Sequence, residues 1–156
     1  MVKATAVLIL IGVIKVSKNN ARARLVKNCL ETPDGTILYS RHRHDYAHHI
    51  DENGKTYFTD GGLDYVHCSA NGDEIHHHVW NDDPFDKVRE AVEWGTYGKD
   101  GKNPLSWKKL CDMTTDHIEA VLENVPSISS LHREIFNLEL KHRESEDSSH
   151  FVTSDN

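Results

Sequence analysis

Between residues 33 and 73 the chain is punctuated by four glycine turns: "PDG" (33–35), "ENG" (52–54), "DGG" (60–62) and "ANGD" (70–73). Glycine takes up positive φ without steric cost, so such clusters fix where a chain reverses. The runs between them, "TILYS", "AHHI", "KTYFT", "LDYVHC" and "EIHHHVW", are short and rich in Thr, Tyr, Ile, Val and Phe. β-prone runs at this spacing predict an antiparallel meander over residues 36–80. Asn53-Gly54 is its strongest turn, because both residues tolerate the positive φ of a type I′ hairpin. A two-residue turn there sets Asp51 opposite Thr56 and His49 opposite Phe58. A second at Gly61-Gly62 sets Thr56 opposite His67 and Phe58 opposite Tyr65, so that His49, Asp51 and His67 share one face.

After Trp80 the pattern becomes helical. "NDDPFDKVREAVEWG" offers Asp83 as N-cap, Pro84 as first helical residue and Gly95 as stop, with Phe85, Val88, Ala91 and Val92 as its apolar stripe. "TTDHIEAVLENVP" predicts a helix from about Thr115, with Asp116 and Glu119 as a capping-box-like pair and Pro126 as terminator. "SISSLHREIFNLELKHRES" predicts a third from about Ser127, with Leu131, Ile135, Leu138 and, less centrally, Phe136 on its buried side. The fold class is therefore α+β: an N-terminal antiparallel meander, then about three helices packed on one face of the sheet. Residues 20–144 form one such domain, and 145–156 a flexible Ser/acid-rich tail.

The 156 residues carry a formal charge of −7. That argues against general nucleic-acid binding, which calls for a basic face. The charge is uneven: residues 1–30 hold six Lys/Arg and no acid. Residues 1–19 contain the apolar run "ATAVLILIGVI", too short to cross a bilayer as a helix. A buried first strand is the favoured reading, with a signal peptide or an upstream leader as alternatives. No membrane association is expected. Cys29, Cys68 and Cys111 form no C-x-x-C pair, which fits a reducing cytoplasm and indicates neither a disulfide framework nor a zinc knuckle.

Chemistry concentrates in "SRHRHDYAHHID" (40–51), with four histidines, two arginines and two aspartates. On a strand, residues i and i+2 share a face at about 6.5–7 Å. His42/His44 and His76/His78 are thus two conceivable metal clamps, with Asp45, His48, His49 or Asp51 as further ligands. The spacing misses the metallo-hydrolase pattern H-x-H-x-D-H, and no cysteine is placed to help. A solvated histidine-rich sheet face, with no metal and no cofactor, is the expected reading. Arg41, His42, Arg43, His44 and Asp45 could instead contact an anionic or aromatic ligand.

"WGTYGKDGKNP" (94–104) is the second candidate: its backbone amides and Lys99 could cradle a phosphate beside Trp94 and Tyr97. It is not a P-loop. The plainer reading is a helix stop, with Trp94 and Tyr97 packed on the core. No serine sits in G-x-S-x-G.

"TPDGTILYSRHRHDY", "DGGLDY", "DDPFDKVREAVEWGTYGKDG" and "LCDMTTDHIEAVLE" resemble a family of small uncharacterised proteins of tailed bacteriophages, over about Asn20 to Arg143. The resemblance implies a setting, the cytoplasm of an infected bacterium, and no chemistry. The first nineteen residues and His76–His78 fall outside it. The leading expectation is a non-enzymatic accessory protein that binds a host bacterial protein or a small anionic, nucleotide-like ligand, in host takeover or counter-defence. Alternatives are a small His-cluster metal-dependent hydrolase and a structural or assembly protein. Self-association stays open.

Overall fold

The computed structural model describes residues 22–150, so the expectations for residues 1–19 and 151–156 lie outside the described residues. The chain is α+β, with strands mostly first and helices after. Strands β1 (Leu25–Glu31), β2 (Ile37–Ser40), β3 (Ala47–Ile50), β4 (Thr56–Asp60), β5 (His67–Cys68), β6 (Ile75–His76) and β7 (Val79–Trp80) precede helix α1 (Phe85–Ala91). Then come β8 (Glu93–Thr96), β9 (Ser106–Lys109), a 3₁₀ turn (Leu110–Asp112), α2 (Thr115–Asn124) and α3 (Ser130–His150). Every strand pair is antiparallel. No helix among the described residues is long and apolar enough to cross a membrane.

The strands do not form one continuous meander. β1 is central to one sheet, pairing with β2 on one side and with β6 and β7 on the other. β3–β4–β5 make a second sheet, and β8–β9 a separate hairpin. β1 can take the centre because Leu25, Val26, Asn28, Cys29 and Leu30 are all buried, a near-continuous run suited to cover on both faces. Its Val26 joins the helical core, and Leu30 joins Leu38 and Tyr57 in a smaller cluster beside the second sheet. Fully buried polar side chains tie the two sheets together. Asn28 Nδ2 donates to the carbonyls of Asp60 (2.8 Å) and Gly62 (3.0 Å), and Thr59 Oγ1 donates to Asn28 Oδ1 (2.6 Å). Each buried polar group is thereby satisfied by a partner on another strand or turn.

The β3–β4 turn departs from type I′. Asn53 keeps a negative φ and only Gly54 is left-handed, at +77°. Asp51 Oδ1 accepts from the N–H groups of Asn53 (2.9 Å) and Lys55 (2.8 Å), while Gly54 N–H donates to the Asp51 carbonyl (2.9 Å). This is a type I turn closed by a left-handed glycine, one residue longer than expected. His49 therefore lies opposite Tyr57 rather than Phe58. The Gly61–Val66 connection is longer still, and His67 lies opposite Asp60 rather than Thr56. A one-residue slip exchanges sheet faces, so His49 and His67 fall on opposite ones.

α1 starts at Phe85 with Pro84 just outside it, and it stops at Ala91 rather than at Gly95. Asp83 Oδ2 instead accepts from Trp80 N–H (2.9 Å) and Lys87 Nζ (3.1 Å). α2 is capped by Thr114, whose hydroxyl accepts from His117 N–H, and not by Asp116. α3 begins at Ser130 and continues as helix past Ser145. Val88, Ala91, Val92, Leu110, Met113, Ile118, Val121, Leu131, Ile135 and Phe136 make the core between the helices and β1/β7. Leu138 is exposed, because the buried face of α3 runs 131–135–136–139. At its centre stands Glu139, fully buried, accepting from Arg89 Nε (2.7 Å) and Nη2 (2.6 Å) and from Arg143 Nε (2.7 Å).

Candidate functional site

"RHRHDY" (41–46) is a turn between β2, which ends at Ser40, and β3, and not a strand. Ser40 Oγ donates to the Asp45 carbonyl (2.6 Å), Asp45 N–H to the His42 carbonyl (2.9 Å), and Arg41 N–H to Asp45 Oδ2 (2.8 Å). Asp45 thus shapes the turn. His42, Arg43 and His44 are exposed, and Arg43 stands 3.6 Å from Asp64. Without strand geometry the alternative of a His42/His44 metal clamp loses the shared face it required.

The neighbouring histidines have separate duties. His48 is exposed and stacks on Tyr46, which stacks on Phe58, which meets His67 edge-on at 5.1 Å. The solvent face of the second sheet is therefore aromatic as well as histidine-rich. His49 sits on the other face with Nε2 2.6 Å from Asp34 Oδ2. The Thr32 hydroxyl, then Thr36 and His49, hold the Asp34 carboxyl well below the usual range. Asp51 is committed to its own turn.

Arg41 turns away from this group, toward the β8–β9 hairpin. Its guanidinium lies 3.9 Å from the Tyr39 ring centre and 4.9 Å from that of Trp107, and its Nη2 is 2.9 Å from Glu93 Oε2. Arg41 Nε is buried and makes no hydrogen bond among the described residues. Trp94 and Tyr97 line the same cleft, a cavity of about 400 Å³ that also includes Leu105, Trp107 and His132. Three of the residues singled out in the sequence thus converge: Arg41, Trp94 and Tyr97. Lys99 is exposed in the loop and outside the lining.

"WGTYGKDG" is therefore one arm of a hairpin and its loop, not a helix stop. Trp94 packs on Phe136, as expected, whereas Tyr97 is 55% exposed, with Leu105 and Trp107 nearly as open. Gly95 pairs across the ladder with Trp107, and a Cβ at Gly95 would meet Leu105 at 3.1 Å and the Trp107 ring at 3.3 Å. The bare glycine lets both side chains lie over it. Tyr39, Leu105, Trp107, Glu93 and His132 are site residues missed in the sequence. The signal available was the paired runs "WGTY" and "LSW" around a glycine-rich loop. Burial, and then Glu93, pushes the Tyr39 phenol above its usual range; burial pushes His132 down. The cleft therefore sets Tyr39 and His132, both disfavoured as ions by burial, beside the Arg41–Glu93 ion pair.

A second grouping involves Cys68, His76 and His78. His76 Nδ1 lies 3.9 Å from Cys68 Sγ and 3.3 Å from His78 Nε2, and one ligand atom from each residue falls within 4.8 Å of the others. Among the described residues this is the only group of three or more metal-ligand side chains so placed. The expectation that no cysteine stands near a histidine pair is thus corrected: the 69–74 loop brings Cys68 back beside it. His77, between the two, is directed to Glu31 at 2.7 Å. The three consecutive histidines border an open cavity of about 540 Å³, together with Lys27, Lys87 and Lys109.

Comparison with known protein families, with characterised proteins and with solved structures found no match to this chain.

Proposed function

We propose that the chain is a non-enzymatic binding protein, an accessory factor of a tailed bacteriophage that engages a host bacterial protein in the infected cytoplasm. The phage setting rests on the resemblance of the sequence motifs. The binding role rests on one observation: Tyr97, Leu105 and Trp107 stand 45–55% exposed around a cleft in which Arg41 stacks on Tyr39 and Trp107. Tyr, Trp and Arg are the residues that dominate binding energy at the centres of protein interfaces. Because Arg41 is already paired with Glu93, the cleft floor suits an apolar or aromatic side chain better than an anion. Lys99 and Lys102, exposed in the loop of the same hairpin, suit acids beside that anchor.

The test is capture of host proteins on the immobilised chain, comparing Trp107→Ala and Tyr97→Ala with His48→Ala on the second sheet. A partner retained by the parent and by His48→Ala, with affinity reduced at least tenfold by either cleft substitution, supports the reading. Undiminished capture by Trp107→Ala sinks it.

A second reading, a small anionic nucleotide-like ligand, is favoured by cleft volume: about 400 Å³ lies within the usual range for small-molecule sites. Saturable quenching of tryptophan fluorescence by nucleoside phosphates, lost in Trp107→Ala, would select it over a protein partner.

A further inference from the structure

We propose that Cys68, His76 and His78 form a zinc-type metal site that links the edges of two sheets. Cys68 lies on β5, the last strand of the β3–β4–β5 sheet, and His76 on β6, the edge strand beside β1. His78 follows two residues later, immediately before β7. The three donors come from different short elements and still converge on one volume.

Two of the three donor separations lie close to the edges of a tetrahedral zinc centre, and the third, Cys68 to His78, falls within 4.8 Å. A tetrahedral centre with Zn–S about 2.3 Å and Zn–N about 2.0–2.1 Å has S···N edges of about 3.6 Å and N···N edges of about 3.3 Å. The corresponding separations are 3.9 Å for Cys68 Sγ to His76 Nδ1 and 3.3 Å for His76 Nδ1 to His78 Nε2. One thiolate and two imidazoles select a borderline-soft ion such as zinc over magnesium or calcium, which demand oxygen. Binding exchanges the Cys68 thiol proton for the metal and releases that proton to solvent. Three protein donors leave a fourth position for water or an outside ligand.

The connection between Cys68 and His76 is fixed by contacts that need no ion. The Glu74 carboxylate accepts from the N–H groups of Asn71 (2.7 Å), Gly72 (2.8 Å) and Asp73 (3.2 Å). Asn71 Nδ2 donates to the Thr56 carbonyl (3.0 Å), and Lys55 Nζ reaches Asp73 at 2.7 Å. The donors are thus held together beforehand, so binding does not have to order the loop.

The test is titration of the metal-free full chain with cobalt(II) and then zinc(II). The site predicts one equivalent per chain, a near-ultraviolet thiolate-to-cobalt charge-transfer band, and displacement of cobalt by zinc. Cys68→Ser abolishes the band, His76→Ala and His78→Ala weaken zinc at least tenfold, and His42→Ala changes nothing. Binding far below one equivalent, or a band that survives Cys68→Ser, overturns the proposal. Should Cys68→Ser fail to fold, alkylation of the unsubstituted protein decides. Zinc should slow modification of Cys68 at least tenfold and leave Cys111 unchanged; equal Cys68 rates with and without zinc refute the site.

Discussion

The backbone of Gly62 lies against that of His42: a Cβ on Gly62 would stand 2.3 Å from the His42 carbonyl carbon and 2.7 Å from Arg43 N. Gly62 also has φ +56°, and its N–H donates to Ser40 Oγ at 2.9 Å. The "DGG" and "SRHRHDY" turns therefore support one another at a contact only glycine permits. Gly62→Ala should cost more than about 2 kcal/mol, as steric overlap adds to backbone strain. Gly72→Ala, also at positive φ but with open space around it, should cost about 1 kcal/mol. Urea unfolding of the two variants checks the ordering.

Glu139 supplies a pH dependence. Burial raises its carboxyl, but the hydrogen bonds and charges of Arg89 and Arg143 prevail and hold it below its usual value. A carboxylate depressed by folding stabilises the fold above the unfolded pKa, about 4.3. That contribution is lost as pH falls through the folded value. Melting temperature should therefore drop more steeply below pH 4 in the parent than in Glu139→Gln. At neutral pH Glu139→Ala should cost about 3–5 kcal/mol, since Arg89 and Arg143 both lose their shared carboxylate, Arg143 keeping only its bonds to the Thr115 hydroxyl and the Leu110 carbonyl. Equal acid sensitivity of the parent and Glu139→Gln would remove Glu139 as the cause.

Arg41→Ala should destabilise the chain by about 1–3 kcal/mol, because Glu93 is left mostly buried without its partner and two rings lose their stacking cation. Arg41→Ala combined with Glu93→Gln should recover part of the loss. Thermal melts of both variants measure it; no recovery would assign the cost to ring stacking alone.

Thr114→Ala should cost about 1 kcal/mol through the lost cap of α2. Asp116→Ala, at the position favoured by the sequence pattern, should cost less. The reverse ranking in denaturant would contradict the cap seen here.

The α+β order was legible because turn glycines and helical spacing are local signals. Pairing depends on how each turn closes and on which distant strands then meet. Asp51 illustrates this: its carboxylate draws the Asn53-Gly54 turn into type I geometry and so moves His49 to the other face. An Asp two residues before the Asn was the readable sign. "VEWG" looked helical by spacing, yet the chain becomes extended at Val92, whose carbonyl accepts Leu110 N–H at 2.9 Å, a partner eighteen residues away. Arg41, Trp94 and Tyr97 were found from their chemistry, whereas Tyr39 and Trp107 required the hairpin to be placed. Cys68 was overlooked because its histidines are near it only once the 69–74 loop has folded.

The same glutamate has a geometric corollary. Glu139 and Arg143 are four residues apart, so they occupy one face of α3 on consecutive turns. If α3 slid one turn along its axis, Arg143 would arrive where Glu139 meets Arg89, setting cation against cation in a buried place. Apolar side chains alone would oppose such sliding weakly, since a leucine ridge fits several grooves. The charges make the helix a ratchet with one seated tooth.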